Sequence, residues 1–135
     1  MQELQVNKEN CFSVLMAVYK KEQPLFFKEA LRSVFEQSLI PNEVVLVKDG
    51  PLTEELEQII VDFSSKNEQL KVITLEKNQG LGEALRIGLN ACSFDLVARM
   101  DSDDICKPYR FEKQIAFLKE HKEITIVGSW IEEFS

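Results

Sequence analysis

Apolar residues in this chain fall into two kinds of run that take turns along its length. "FSVLMAV" (Phe12 to Val18) is continuously apolar in character, which predicts a strand buried on both faces. Polar residues and Pro24 punctuate it, and "LFFKEALRSVFEQSL" then adopts helical spacing. Phe27, Leu31 and Val34 follow the i, i+4, i+7 rule there, with charges on the other side. Pro41 closes that unit. "EVVLVKDG" predicts a second strand from Glu43 to Val47, ending at Lys48, Asp49 and Gly50. Pro51 and Thr53 open the next helix, whose apolar stripe is Leu56, Ile59, Ile60 and Phe63. Thr53, with Glu54 and Glu55 behind it, suits the N-cap.

The alternation continues. "LKVITLE" (Leu70 to Glu76) predicts strand three, and "NQGLGEALRIGLNAC" a turn running into a helix with Leu81, Ala84, Leu85, Gly88 and Leu89 facing inward. "FDLVARM" (Phe94 to Met100) predicts strand four. A helix from Pro108 to Glu120 carries Phe111, Ile115 and Leu118 on one face, with Pro108 in its first turn. "ITIVGSW" predicts a fifth strand. No repeat, low-complexity segment or linker interrupts the series. The expectation is an α/β fold: a mostly parallel sheet with right-handed crossovers and helices on both faces.

In open sheets of this kind ligands bind outside the carboxyl ends of the strands. Asp49 ends strand two, Gly80 and Gly82 follow strand three, and Asp101 with Asp103 ends strand four. Groups remote in sequence therefore converge on one edge.

Charge narrows what that edge can bind. The formal net charge is -7 and no stretch is strongly basic, which excludes a nucleic-acid footprint. The same field repels an anionic ligand unless a divalent cation intervenes. The chain's 135 residues, 44% of them hydrophobic, suit one compact domain or a piece of a larger one. Cys11, Cys92 and Cys106 have no metal-ligand spacing. Cys11 and Cys92 read as buried thiols, and the odd count suits a reducing cytoplasm. The opening "MQELQVNKEN" is polar, unlike a secretory leader, and the apolar runs are too short to span a bilayer.

The acidic stretch in "LVARMDSDDICKP" carries the chemistry. Two carboxylates one residue apart at a strand end can point into one small volume, where a hard cation such as Mg²⁺ or Mn²⁺ would supply the counter-charge. A solvated turn, or Asp104 capping the next helix, is the plainer reading of the same residues. "KDG" is equally double: ordinary turn chemistry, or an Asp49 carboxylate accepting from the N–H groups of a nucleobase. "KNQGLG" lacks the dinucleotide fingerprint and the Walker ending, so it reads as a tight turn into a helix. Arg86 is either a phosphate or base contact or a surface arginine. His121 reads as a favourable charge at a helix C-terminus, and Trp130 as a packing residue.

The ordered set "SVLMAVYK", "EVVLVKDG", "KNQGLGEALRIGL" and "ARMDSDDICKPYRFEKQ" resembles the nucleotide-binding half of a family 2 glycosyltransferase with the GT-A fold. The resemblance runs from Phe12 to Ser129, and "KDGPLTEEL" is similar to bacterial enzymes of exopolysaccharide or O-antigen assembly, amylovoran-type transferases among them. It implies a Rossmann-like, mostly parallel sheet flanked by helices, with residues 1–135 forming one nucleotide-diphospho-sugar-binding unit. Ala17, Val18 and Tyr19 would line the base pocket, largely through backbone groups, and Asp49 would bind the base. Asp101 would contact the ribose or lie near the metal, and Asp103 would ligate Mn²⁺ or Mg²⁺. Asp104 matches a neighbour that is frequently acidic. The implied reaction is inverting, metal-dependent transfer from a nucleotide-diphosphate sugar, a UDP-sugar ahead of others, to a saccharide or lipid-linked acceptor. The implied location is cytoplasmic, at the inner face of the membrane in a full-length protein.

The sequence also departs from the family pattern. Ala17 stands where proline is usual, Lys48 where a second aspartate is usual, and Leu85 where an arginine is usual, so Arg86 inherits no role. The general base, commonly in an acidic pair, is expected beyond residue 135, because Glu132 and Glu133 arrive too early. Three other readings compete. A receiver-like signalling domain needs an acidic pair after strand one, where "AVYKK" stands. A nucleotidyltransferase needs a glycine-rich basic loop near the N-terminus. A non-catalytic nucleotide-binding fragment differs only in activity.

Overall fold

Six consecutive buried residues, Ser13–Val18, form the central strand β1 of a computed structural model that describes residues 11–120 and 126–127, with side chains to residue 116. The elements that follow are α1 (Pro24–Phe35), β2 (Glu43–Lys48), α2 (Glu54–Lys66), β3 (Leu70–Thr74), α3 (Leu81–Ala91), β4 (Val97–Asp101), α4 (Arg110–Glu120) and β5 (Ile126–Val127). The described strands are all parallel, in the order β3-β2-β1-β4-β5. The Rossmann-like α/β expectation is met. Only Ile126–Val127 of the expected fifth strand is described, and His121, Trp130, Glu132 and Glu133 lie outside the described residues.

Period-two alternation in the strands sorts the core into two layers. Val14, Met16, Val18, Val44 and Leu46 face α1 and α2, packing on Phe27, Leu31, Val34, Leu56 and Ile60. Leu15, Ala17, Val45, Val47 and Val97 face α3 and Ala84. The chain steps one way through β1, β2 and β3 with its helices on one face, then reverses to β4 with α3 on the other. Reversing direction and face together preserves one crossover hand. α4 breaks this alternation, since Phe111 and Ile115 join the α1 layer. The link after β4 holds it there: Cys106 N–H donates to Ser33 Oγ at 2.9 Å, and Gln37 Nε2 to the Lys107 carbonyl at 2.7 Å.

Several expected boundaries move for identifiable reasons. Pro24 opens α1 instead of merely preceding it, as its missing N–H permits. Pro108 lies before α4, whose first residue Arg110 donates its N–H to the Lys107 carbonyl at 3.0 Å. Thr53 caps α2 as expected, its Oγ1 accepting from Leu56 N at 3.3 Å. On α3, Ala84 and Gly88 are buried, but Leu81 and Leu89 are exposed, contrary to the inward stripe. Gly88 explains the shift. A Cβ there would lie 2.4 Å from Leu15 Cδ1, so this face of α3 sits too close to β1 and β2 for large side chains.

At the amino ends of the strands, Glu43 ties β2 to its neighbours. Its carboxylate accepts from Ser13 Oγ (2.7 Å), Ser93 N (2.7 Å) and Ser93 Oγ (2.9 Å), and pairs with Lys71 Nζ at 2.7 Å. Burial would push its pKa up; the Lys71 and serine contacts outweigh burial and hold it at about 2, below the ordinary 4.5. A lowered carboxylate pKa stabilises the fold above the unfolded value and loses that contribution as pH falls from 4.5 through 2. The contribution is on the order of 2–3 kcal/mol at neutral pH. Glu43→Gln should therefore be less stable than wild type at pH 7, with the two curves converging in acid. Urea melts across that range check this, and parallel pH curves would refute it.

None of the cysteines forms a disulfide; Cys11 and Cys106 are buried, and Cys92 is half-buried rather than fully buried as expected. Burial, reinforced by the Glu43 charge, pushes the Cys92 thiol pKa up. Among the described residues no helix is long and apolar enough to cross a membrane.

Candidate functional site

The point where chain direction reverses, between β1 and β4, leaves a crevice at the carboxyl edge, because successive connections depart to opposite sides. A cleft of about 440 Å³ lies there. Ala17, Val18 and Tyr19 line it at the end of β1, Asp49 just past β2, Asn78, Gly80 and Leu81 where the β3–α3 loop enters α3, and Arg99, Asp101 and Ser102 at the end of β4. Five of the expected site residues, Ala17, Val18, Tyr19, Asp49 and Asp101, thus share one cavity. Asp103 is not in its lining, but stands exposed on the adjoining acidic turn.

Asp49 is buried and already engaged. Its Oδ1 accepts from Gln79 N at 2.7 Å, and its Oδ2 from Gly80 N at 3.1 Å and Asn78 Nδ2 at 3.2 Å. The amides of "NQG" thus fold back on the protein's own carboxylate, so the loop is the tight turn expected of it. A second Asn78 Nδ2 bond, to the Asp49 carbonyl at 3.2 Å, closes the knot. Lys48, at the family's second aspartate position, points to the opposite face and pairs with Glu57 of α2 at 2.8 Å. That departure leaves the cleft untouched. Arg86 is exposed and paired with Glu83 at 2.6 Å, a surface arginine outside the cleft.

The acidic turn is built as a unit. Asp104 N–H donates to the Asp101 carbonyl at 3.1 Å, and buried Ser102 donates its hydroxyl to Glu22 of the β1–α1 loop. Carboxylate oxygens of Asp101, Asp103 and Asp104 all lie within 4.8 Å of one another. Hard oxygens at that spacing fit a Mg²⁺- or Mn²⁺-sized cation. Asp101 also meets Arg99, whose Nη2 is 2.9 Å from its Oδ1.

Sequence reasoning passed over Arg99, Asn78 and Leu81. The signal for Arg99 was period two: Val97, Arg99 and Asp101 share the α3 face of β4, and the last two reach past its apolar part. Asn78 carried no such signal, since its partner lies 29 residues away.

Comparison with known proteins agrees with this geometry. The profile described as "Glycosyl transferase family 2" matches residues 13–135. An Escherichia coli UDP-Gal:alpha-D-GlcNAc-diphosphoundecaprenol beta-1,3-galactosyltransferase is 48% identical over 123 residues, covering 91% of this chain and 44% of that protein. The amylovoran biosynthesis glycosyltransferase AmsE of Erwinia amylovora is 45% identical over 91% of this chain and 46% of its own length. The crystal structure of S. aureus TarS 1-349 in complex with UDP superposes with a TM-score of 0.71 at 32% identity, over 83% of this chain and 33% of that one. The chain spans less than half the length of each of these proteins. Receiver-like and nucleotidyltransferase readings fall away. With a GT-A sheet, a cleft at its reversal point and a family profile matching from β1 onward, the chain belongs to glycosyl transferase family 2.

Proposed function

We propose that the cleft holds the nucleoside diphosphate of a sugar donor, and that these 135 residues are the donor-binding half of an inverting, metal-dependent glycosyltransferase of polysaccharide assembly. The observation that carries this reading is the meeting of Tyr19, Asp49 and Asp101, from three strand ends, in one cavity. The base lies against the backbone of Ala17, Val18 and Tyr19 and faces Asp49, and the ribose lies toward Asp101. Asp103, with Asp101 beside it, holds Mn²⁺ or Mg²⁺ at the mouth of the cleft.

Hydrogen-bond accounting favours an imide base, uracil or thymine, over guanine. A carboxylate offers about four acceptor sites, and Asp49 spends three on Gln79, Gly80 and Asn78. One remains, on Oδ1, enough for a single imide N–H. Guanine presents two adjacent donors and would leave one unmatched in a buried place, which is costly. A UDP-sugar donor is further supported by the UDP complex of TarS and the UDP-Gal specificity in the name of the E. coli relative.

In the reaction, an acceptor hydroxyl loses its proton to a general base and attacks the anomeric carbon on the side opposite the diphosphate, inverting that centre. On this reading the described residues supply donor binding and not the general base. The acceptor is a saccharide or a lipid-linked sugar, the latter by analogy with the undecaprenol-linked acceptor of the E. coli relative, which would put the chemistry at the cytoplasmic face of the membrane. A bound cation supplies Lewis-acid neutralisation of the leaving diphosphate. Tyr19, Asp49 and Asp101 contribute donor binding and orientation, which count through fixed geometry.

Thermal-shift titration with UDP, GDP and TDP, each with and without Mn²⁺, tests the reading. A cation-dependent rise in Tm, largest for UDP, is expected. A folded sample that responds to none of the three would overturn it.

A further inference from the structure

We propose that Arg99 is the diphosphate-contacting residue of the donor cleft, parked on Asp101 until the donor arrives. This inference rests on the donor reading above and deepens it by assigning the phosphate contact.

Among the described residues that line the cleft, Arg99 is the one cation. Lys48 and Arg86 are committed elsewhere, to Glu57 on the far face and to Glu83 at the surface. A protein of net charge -7 that binds a diphosphate needs positive charge at the contact itself. Guanidinium suits phosphate, since its planar fork donates two bonds at once. The geometry is also incomplete as it stands. Arg99 reaches Asp101 Oδ1 through Nη2 at 2.9 Å, while its Nε is buried with no hydrogen-bond partner among the described residues. A buried donor without a partner is unfavourable, and a small rotation toward an incoming phosphate would satisfy it. The side chain is 38% exposed, so it has room to turn.

Its anchor is firm. The Arg99 carbonyl accepts from Nη2 of buried Arg110 at 3.4 Å, and Arg99 pairs in register with Leu15 of β1. The backbone is thus fixed while the guanidinium can choose between two anions.

Parking on Asp101 has a second consequence. Asp101 is one of the three carboxylates grouped at the acidic turn, so Arg99 and a divalent cation compete for it. When the diphosphate draws Arg99 away, Asp101 is released to the cation. Donor and metal should therefore bind more tightly together than separately.

Isothermal titration of the 135-residue chain tests this with three probes: UDP, uridine and Mn²⁺ alone. Arg99→Gln should lose about tenfold or more in UDP affinity, as expected for a charge-assisted contact. Its uridine affinity should stay within roughly twofold, because the base and ribose contacts are intact. Mn²⁺ alone should bind roughly twofold to fivefold tighter, the range of a half-exposed ion pair. Arg99→Lys should lose less for UDP, keeping charge without the fork. Opposite signs for UDP and Mn²⁺ are what a merely structural residue would not produce. Circular dichroism monitors folding, and Arg99→Lys alone carries the comparison if Arg99→Gln unfolds. Unchanged UDP affinity, or equal losses for UDP and uridine, overturns the assignment while leaving the donor site standing. A wild-type chain that binds neither UDP nor uridine, with Mn²⁺ or without it, overturns the donor reading itself.

Discussion

Asp103→Ala is expected to erase the difference between metal-loaded and metal-free UDP binding, leaving only the weak affinity of the bare cleft. The acidic turn has three carboxylates in reach of one ion, but they are not equivalent. Asp101 is shared with Arg99, and the Asp104 backbone closes the turn onto the Asp101 carbonyl. Asp103 is exposed, beside the cleft without lining it, and so is placed to meet an ion that arrives with the donor's phosphates. Mg²⁺ and Mn²⁺ sites of this kind use one or two protein carboxylates and leave the remaining positions to water and phosphate. Losing one of two ligands removes a large share of the protein's hold on the ion. Outer-sphere partners of metal ligands already cost roughly 10- to 100-fold in metal affinity when removed, and a direct ligand should cost no less. The measurement is a UDP isotherm with and without Mn²⁺ for wild type, Asp103→Ala and Asp104→Ala. Persistence of the metal enhancement in Asp103→Ala would move the ligand role to another member of the turn.

The same residues show what a sequence discloses and what it withholds. Apolar continuity located β1 and β2 because a strand covered on both faces has no polar side to confuse its period. The carboxyl-edge rule then assembled Asp49, Gly80 and Asp101 without any long-range contact being known. Failures came where packing distance or a remote partner decided the outcome. α3 has enough leucines for a broad apolar face, yet contact at Gly88 allows only its small residues to touch the sheet, and Leu81 is left at the cleft. Asp49 could be read as ordinary turn chemistry or as a carboxylate facing a nucleobase. Its actual neighbours, the amides of Gln79 and Gly80, are brought to it by β3 and leave little of it for anything else. Arg99 drew no notice in the sequence, yet among the described residues that line the cleft it is the one cation.

That knot around Asp49 depends on a glycine, and Gly50→Ala should be the most damaging single-atom change near the site. Gly50 has φ 91°, a region that side chains avoid, and its N–H donates to the Lys48 carbonyl at 2.9 Å across a very tight turn. An added Cβ would also lie 2.6 Å from Asn78 N and 3.1 Å from Lys77 C, both backbone atoms with no rotamer to escape into. The dihedral cost is about 1–2 kcal/mol. Overpacking adds about 1–3 kcal/mol. Relief requires the β3–α3 loop to move off Asp49, which stretches the Gln79 and Gly80 bonds and deforms the cleft wall. Gly80→Ala separates the two causes. Its φ is 97°, but a Cβ there meets nothing within 4 Å, so it bears the backbone strain without the contact. Urea unfolding should therefore place Gly50→Ala well below Gly80→Ala in stability at equal m, with UDP affinity falling further as well. Equal midpoints for the two variants would mean that the loop backbone yields freely, and that Asp49 holds the cleft wall far more loosely than its three hydrogen bonds imply.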